Sequence, residues 1–528
     1  MKKLFRRVIK KLYLYKADSY TLDFIKHNFR LFTGRKANRR SNDPEVLCEF
    51  NAMHSSHIAY SYMTNVLASK FEARIIAYSP HSILKFWKKI DWKLSQLIGR
   101  SDFAVYRSFG TSDFFYPQFN DSQLSRAKEL SEKILSKIKT KSDIEGICVH
   151  GIIIGDLIYD SYLRQHNQPT IEIGGESFRI FLLNSIRVYI FWVDYFKEHD
   201  VRAVNASHSV YTIAFPLRIA LSKDIPAFVT GARHAHQLSK ENIINNCDFL
   251  EYRETFRKLP VEVQMAGLDK AKERIELRFS GKVGVDMGYS TKSSYGEHKT
   301  ERLLKESDRK KVLIATHCFF DSPHGYGNNL FPDFYEWLDF LGKMTLETDY
   351  DWYIKTHPDY LPGTMEVIES FMRKYPKLIL LPSDSSHHQI IKEGIDVALT
   401  CYGTIGFEYA AQGILVVNAS MNNPHIAYNF NLHPKNVDEY HDVLKNIDSN
   451  SLSIDKNEVY EYYFMRNIFN AKDWLFDNYL DTIEEVGGYF ELFTSKSYGV
   501  WMRECSDKKH KRMLETVASF VDNGSSRI

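Results

Sequence analysis

Short, continuously apolar runs alternate along this chain with longer stretches whose apolar residues recur every three or four positions. "VLCEF" (46–50) reads as a strand, "HIAYSYMTNVLASKF" (57–71) as a helix and "EARIIAYSP" (72–80) as a strand again. Further on, "VRAVNASHS" (201–209) and "IPAFVTGA" (225–232) are strands on either side of a helix over about 211–223. Beyond residue 310 the alternation is regular. Strands at "KVLIATH", "DWYIKTHP", "LILLP", "DVALT" and "ILVVN" are separated by helices at 332–346, "TMEVIESFMRKY", "HHQIIKEG" and "TIGFEYAAQ". This rhythm predicts parallel sheets covered by helices. The helical passages 121–138 and 185–199 have no assigned place in it.

Length separates the pattern into units, because 528 residues exceed one comfortable core and favour roughly two to four domains. The polar stretch "GVDMGYSTKSSYGEHKTE" (284–301) reads as a connection between them. The expected organisation is an arm and linker over 1–44, a first doubly wound domain over 45–290, a second over 305–450, and a helical tail over 455–528. That tail is rich in Tyr, Phe and Trp at helical spacing, as in "VYEYYFMRNIFNAKDWLFDNYL". Two such sheets facing a cleft suit two substrates, one per domain.

Composition narrows the class. With 44% hydrophobic and 26% charged residues the chain is of ordinary globular type. Its six cysteines, at 48, 148, 247, 318, 401 and 505, show no C-x-x-C spacing, which fits a reducing compartment and points to the cytosol. The net charge of +3 conceals an imbalance: residues 1–40 carry thirteen Lys or Arg against Asp18 and Asp23, so this arm is +11 and the rest of the chain −8. In "MKKLFRRVIKKLYLYK", Leu4, Phe5, Val8, Ile9 and Leu12 share one helical face and Lys3, Arg6, Arg7, Lys10 and Lys11 the other. That is the pattern of a helix lying on an anionic membrane surface, with peripheral attachment to the inner face of the cell membrane as the expectation. A solvated basic helix or an RNA-binding tail is the alternative; no nucleic-acid partner is expected.

Two strand ends carry chemistry. "DWYIKTHPDYLPG" runs apolar and then stops on Lys355, Thr356, His357 and Pro358, where the proline biases His357 toward extended backbone. Open α/β sheets bind ligands at this edge. In "DVALTCYGTIGFEYAAQGILVVN", Thr404 is expected to cap a helix that Gly413 closes; Gly403 and Gly406 let backbone amides approach a phosphate at the helix start. Glu408 follows one turn deeper, where it would accept hydrogen bonds from ribose hydroxyls. Lys355 supplies a point charge for phosphate, and His357 a charge-assisted hydrogen bond to a leaving group.

Strand-K-x-H-P, followed about forty residues later by strand-(S/T)-x-x-G-(S/T)-x-x-x-E-x-x-x-x-G and another strand, resembles the nucleotide-sugar half of GT-B glycosyltransferases. The likeness is to bacterial capsule and surface-polysaccharide transferases, including sialyl- and Kdo-transferring groups with a His-Pro motif. It is clearest over about 310–420 and weaker over 45–290. The resemblance implies an α/β GT-B fold, a nucleotide-sugar donor, and a polysaccharide or lipid-linked acceptor. It also implies that His357 contacts the donor phosphate, Thr404 and its neighbours the phosphate or sugar, and Glu408 the ribose. The acidic-acidic-Gly tripeptide of the sialyltransferase groups has no counterpart in the amino-terminal half of this chain.

An inverting transfer needs a base from the acceptor side. Asp156 is the first candidate: with Asp160 and Arg164 it shares a helical face in "GDLIYDSYLR". His208, at the end of "VRAVNASHS", is the rival, and His54 and His57 in "HSSH" sit in an expected strand-to-helix loop facing the same cleft. The loop "THCFFDSPHGYGNN" (316–329) suits a flexible cover over the donor, placing Asp321 or His324 near it. His234 with His236 and His387 with His388 lack metal-site partners, so no metal or cofactor is expected. A P-loop, a G-x-S-x-G elbow and a G-x-G-x-x-G after the first strand are all missing from the sequence, against kinase, hydrolase and dinucleotide readings. The sequence reads as a metal-independent glycosyltransferase. The alternatives are a teichoic-type polyol-phosphate transferase, a nucleotide-sugar epimerase and a non-catalytic nucleotide-binding subunit.

Overall fold

The structure, a computed structural model, describes residues 17–32, 43–80, 86–244, 248–288, 290, 292–296, 300–357, 360–449, 452–470 and 474–528. In the first domain the strands are β1 (Glu45–Glu49), β2 (Arg74–Tyr78), β3 (Thr111–Phe115), the two-residue pair β4 (Cys148–Val149) and β5 (Ile152–Ile153), β6 (Val201–Ala206), β7 (Ala227–Thr230) and β8 (Ala235–Leu238). The main sheet has the order β3-β2-β1-β6-β7-β8, parallel except for antiparallel β8. In the second domain β9 (Lys311–Ala315), β10 (Asp351–Lys355), β11 (Leu378–Leu380), β12 (Val397–Thr400) and β13 (Leu415–Asn418) form a wholly parallel sheet of order β11-β10-β9-β12-β13.

Both sheets are therefore doubly wound, and each reverses its winding direction beside its first strand: at β1/β6 in one and β9/β12 in the other. Their strands read as unbroken apolar runs because helices cover both faces; all five residues of β1 and of β10 are buried. The runs expected as strands beyond residue 310 are all strands. β3 and β8, which carry weaker signals, were not anticipated. The passages left unplaced form the helices Asp121–Leu135 and Glu176–Glu198, which pack on each other.

The ends of the chain belong to the first domain. Residues 1–16, which carry the expected membrane-binding face, lie outside the described residues. Helix Ser19–Phe32 packs on the body: Phe24 is fully buried and stacks on Tyr498 with ring centroids 4.1 Å apart, and Asn28 Nδ2 donates to Ser108 Oγ at 3.0 Å. Helices Lys496–Glu504 and Asp507–Asn523 lie on helix His54–Lys70. The reason is legible in that helix, which is buried from 55 to 68 and needs cover on the side away from the sheet. Residues 526–528 pair with β8, Ala235 and Ile528 exchanging two 3.0 Å backbone hydrogen bonds.

Polar ties hold the two domains together. Tyr159 and Thr170 of the first domain donate to Asp333 Oδ2 at 2.5 and 2.6 Å, while Asp333 Oδ1 caps helix Phe334–Glu347 through the Glu336 amide at 2.7 Å. His324 bonds Asp160 through Nδ1 at 2.5 Å and Glu145 through Nε2 at 2.9 Å. Buried between two carboxylates, His324 is held protonated well above the ordinary histidine range. It thus locks the interface instead of covering the donor, and Asp321 likewise bonds Tyr211 of the first domain. The connection 284–301 is anchored where described: Asp286 takes two bonds from Arg274 and one from Tyr463.

Candidate active site

At the β9/β12 reversal a cavity of about 130 Å³ opens beyond the carboxyl ends of the strands. Lys355, the last residue of β10, reaches it from below; only 3% exposed, its Nζ donates to Ser383 O at 3.0 Å. Burial pulls Lys355 down to about 8, against the opposing pull of Glu408 and Asp384. His357 stands exposed at the rim, and its successor Pro358 lies outside the described residues.

The turn after β12 is fixed by a histidine that sequence reasoning did not single out. His317 Nε2 lies 3.0 Å from Thr400 Oγ1 and accepts the Cys401 amide at 3.2 Å, while Thr400 Oγ1 accepts the Gly403 amide at 3.0 Å. Burial pulls His317 down to about 3, so this imidazole is neutral and serves as an acceptor. Gly403 is needed for packing, since a Cβ there would lie 2.7 Å from Thr400 Oγ1; its amide serves the turn and not an external phosphate. Thr404 starts helix Ile405–Ala411, but with φ −61° and ψ −21° it already has helical backbone, so its side chain makes no capping bond. Gly406 gives its space to His425, whose Cε1 would lie 2.4 Å from an added Cβ. Gly413 closes the helix at φ +82°.

Glu408 lines the same cavity, but protein donors hold both of its oxygens. Arg278 Nε and Nη2 reach Oε1 at 2.9 and 2.6 Å, and Tyr295 Oη donates to Oε2 at 3.1 Å. Glu408 therefore orients Arg278 at the cavity wall, in place of the open ribose acceptor the sequence suggested. His387, with Nδ1 2.7 Å from Tyr409 Oη, adds a buried imidazole that desolvation keeps neutral. An adjoining chamber of about 340 Å³ shares His317, His357, Gly403 and Thr404, and is walled by Tyr326, Tyr402, Tyr462 and Arg466. Arg466 sits on a π-helical turn, Met465–Phe469, and donates to Tyr326 Oη at 3.1 Å.

At the β1/β6 reversal of the first domain lies a second cluster. Glu49 ends β1 and is 3% exposed; it accepts the Ser207 amide at 2.6 Å and the Ser207 hydroxyl at 2.7 Å. Ser207 Oγ also lies 2.7 Å from Nδ1 of the exposed His208. A hydroxyl has one proton, and the carboxylate is its stronger acceptor. His208 Nδ1 is then the donor to Ser207, and in the neutral ring this tautomer puts the lone pair on Nε2. Three residues on, Tyr211 bonds Asp321, and Tyr402 Oη donates to Ser322 O at 3.3 Å, so the loops of the two reversals meet.

The other expected bases lie elsewhere. Asp156 is held by Arg218 Nη2 at 2.6 Å, within the first domain. Asp160 is committed to His324. Arg164 lines a separate first-domain cavity of about 520 Å³. His54 and His57 start a helix and do not occupy a loop: His57 is fully buried between Tyr498 Oη and Asn51 O, and His54 Nδ1 contacts Phe493 O at 2.6 Å. Both fasten the C-terminal segment to the first domain. Of the residues that sequence reasoning missed, Glu49 had a readable signal, a lone acid closing the apolar run "VLCEF". Arg278 and Tyr295, distant in sequence from Glu408, had none.

No family model matches the chain, and no curated protein does. Among solved structures it is similar to a putative UDP-N-acetylglucosamine 2-epimerase from Listeria monocytogenes, at 11% identity over 84% of this chain and 95% of that one, with a TM-score of 0.25. It is also similar to a glycosyltransferase from Rickettsia africae, at 10% identity over 92% and 100% with a TM-score of 0.22. A third likeness, to the ADP-heptose lipopolysaccharide heptosyltransferase II of E. coli, has 9% identity over 77% and 98% and a TM-score of 0.20. The chain itself has two doubly wound parallel-sheet domains followed by a C-terminal helical region, the α/β architecture expected of a GT-B fold.

Proposed function

We propose that this protein is a glycosyltransferase that moves a sugar from a nucleotide-activated donor to a surface polysaccharide or lipid-linked acceptor. The observation that carries the reading is the pairing of the two reversals: a cationic cavity on one side, and an imidazole backed by a buried acid on the other. The donor's phosphates lie against Lys355, His357 and Thr404, and the acceptor hydroxyl approaches from the first domain. His208 Nε2 takes the hydroxyl proton as the new acceptor O–C1 bond forms. The bond from C1 to the phosphate oxygen breaks, and its electron pair leaves with the nucleotide, where Lys355 and His357 offset the growing charge. Side-chain cations do this without a metal. Residues 1–40 hold the enzyme to the anionic cytoplasmic face of the membrane, where a lipid-linked acceptor resides.

The test uses the full chain with a panel of nucleotides and nucleotide sugars. His208→Asn is expected to lower turnover by about 10²–10⁴-fold while leaving nucleotide affinity unchanged. Turnover equal to wild type removes His208 as the base. Isomerisation of the donor without any acceptor would make the protein an epimerase, and absence of any nucleotide-induced thermal shift removes the donor site.

A further inference from the structure

We infer that helix Phe86–Ile98 of the first domain is a docking surface for an anionic lipid bilayer, a second element beside the attachment proposed for residues 1–40. Its sequence "FWKKIDWKLSQLI" is amphipathic, but the polarity is inverted relative to a helix of a soluble domain. Ile90, Leu94, Leu97 and Ile98, at i, i+4, i+7 and i+8, form one stripe and are all exposed; Leu97, at 81%, is the most exposed large apolar residue among those described. The opposite face carries Trp92 and Ser95 and meets the body: Trp92 packs against Phe50, Phe103 and Tyr116 with ring centroids 5.1, 5.1 and 5.9 Å away. The apolar stripe therefore points away from the protein.

Charge chooses the occupant. Lys89 and Lys93 are exposed along one flank of the stripe, while Asp91, on the other flank, is paired with Arg100 at 3.5 Å. Helix Ser19–Phe32 also exposes apolar side chains, Leu22 and Phe29 at 47% and 40%, beside exposed Arg30 and a Lys26 that pairs with Asp23 at 3.0 Å. Both helices are tied to Ser101–Ser108, one through Asn28 and Ser108, the other through Arg107, which donates to Gln96 O at 2.9 Å. Helix Ser19–Phe32 itself lies within the +11 segment, residues 1–40. Apolar side chains flanked by lysines match acyl chains beneath lipid phosphates; a second copy of the same cationic surface would be repelled.

The test is co-sedimentation of the full chain with vesicles of phosphatidylcholine alone or mixed with phosphatidylglycerol. Wild type is expected to bind the mixed vesicles, more weakly as salt rises. Leu94→Glu with Leu97→Glu should cut binding at least about tenfold, and Lys89→Gln with Lys93→Gln about fivefold per lysine. Neither variant should change the nucleotide-induced thermal shift, and Leu97→Gln, at so exposed a position, should fold normally and fall between. Arm neutralisation (Arg6→Gln, Arg7→Gln, Lys10→Gln, Lys11→Gln) should lower binding further, separating the two elements. Vesicle binding unchanged by the leucine variants overturns the inference. So does a wild-type dimer that ignores vesicles and dissociates on Leu94→Glu.

Discussion

Lys355 changes charge in a range that a binding assay reaches directly. Burial places its ammonium near 8, whereas His317, near 3, and His387, well below its ordinary value, stay neutral through the same range. If phosphate binds only when Lys355 is charged, the charged fraction falls from about nine-tenths at about pH 7 to about one-tenth at about pH 9, and the apparent Kd rises about tenfold, or about 1.4 kcal/mol. The phosphate's own second ionisation, near pH 6, is complete before this window opens. Isothermal titration calorimetry of the wild type with the best nucleotide should show this slope, and Lys355→Met should show weak binding and a flat profile. Stability of the unliganded protein must move the opposite way. Lys355 is depressed in the fold, so the unfolded chain holds its proton more tightly. The penalty for burying the charge is present below about 8 and relieved as pH rises toward the unfolded value. A flat wild-type affinity profile, or the same slope in Lys355→Met, would refute the placement of phosphate on this side chain.

Three other perturbations follow from the same geometry. Arg278→Met leaves the carboxylate of Glu408, 3% exposed, with Tyr295 alone, and should cost roughly 3–5 kcal/mol in chemical denaturation; adding Glu408→Met should recover much of it. Gly406→Ala drives a methyl to within 2.4 Å of His425 Cε1 and 2.9 Å of Asn431 Nδ2, and should destabilise by roughly 1–3 kcal/mol, read as a lower midpoint at unchanged m-value. His324 is raised in the fold, so its contribution is fully present below the unfolded histidine value and is lost as pH rises through the folded one. Small-angle scattering should show the wild-type domains opening at alkaline pH, and His324→Leu open already at neutral pH.

Much of the second domain was legible in the sequence because its information is local. Strands buried on both faces are unbroken apolar runs, and turn residues punctuate them, so β9 through β13 could be read one after another. Lys355 and His357 were legible for the same reason: a strand that stops on polar residues marks the sheet's carboxyl edge. Partnership across the chain was not. Glu408 looked open because Arg278 and Tyr295, which occupy it, lie 130 and 113 positions away. Asp156 outranked His208 in the sequence because an i, i+4 ladder is visible in one dimension; the Arg218 that engages Asp156 arrives from a helix 62 positions on, and the Glu49 that holds Ser207 beside His208 comes near only when β1 and β6 pair. The sequence by itself determined the elements, the parallel sheets and the residues at their edges, since periodicity and burial act over a few neighbours. Only the tertiary structure decided which of those edge residues are committed to one another and which face the cleft, because a hydrogen bond or ion pair is set by distance in space, and a sequence carries no distances beyond a turn or two.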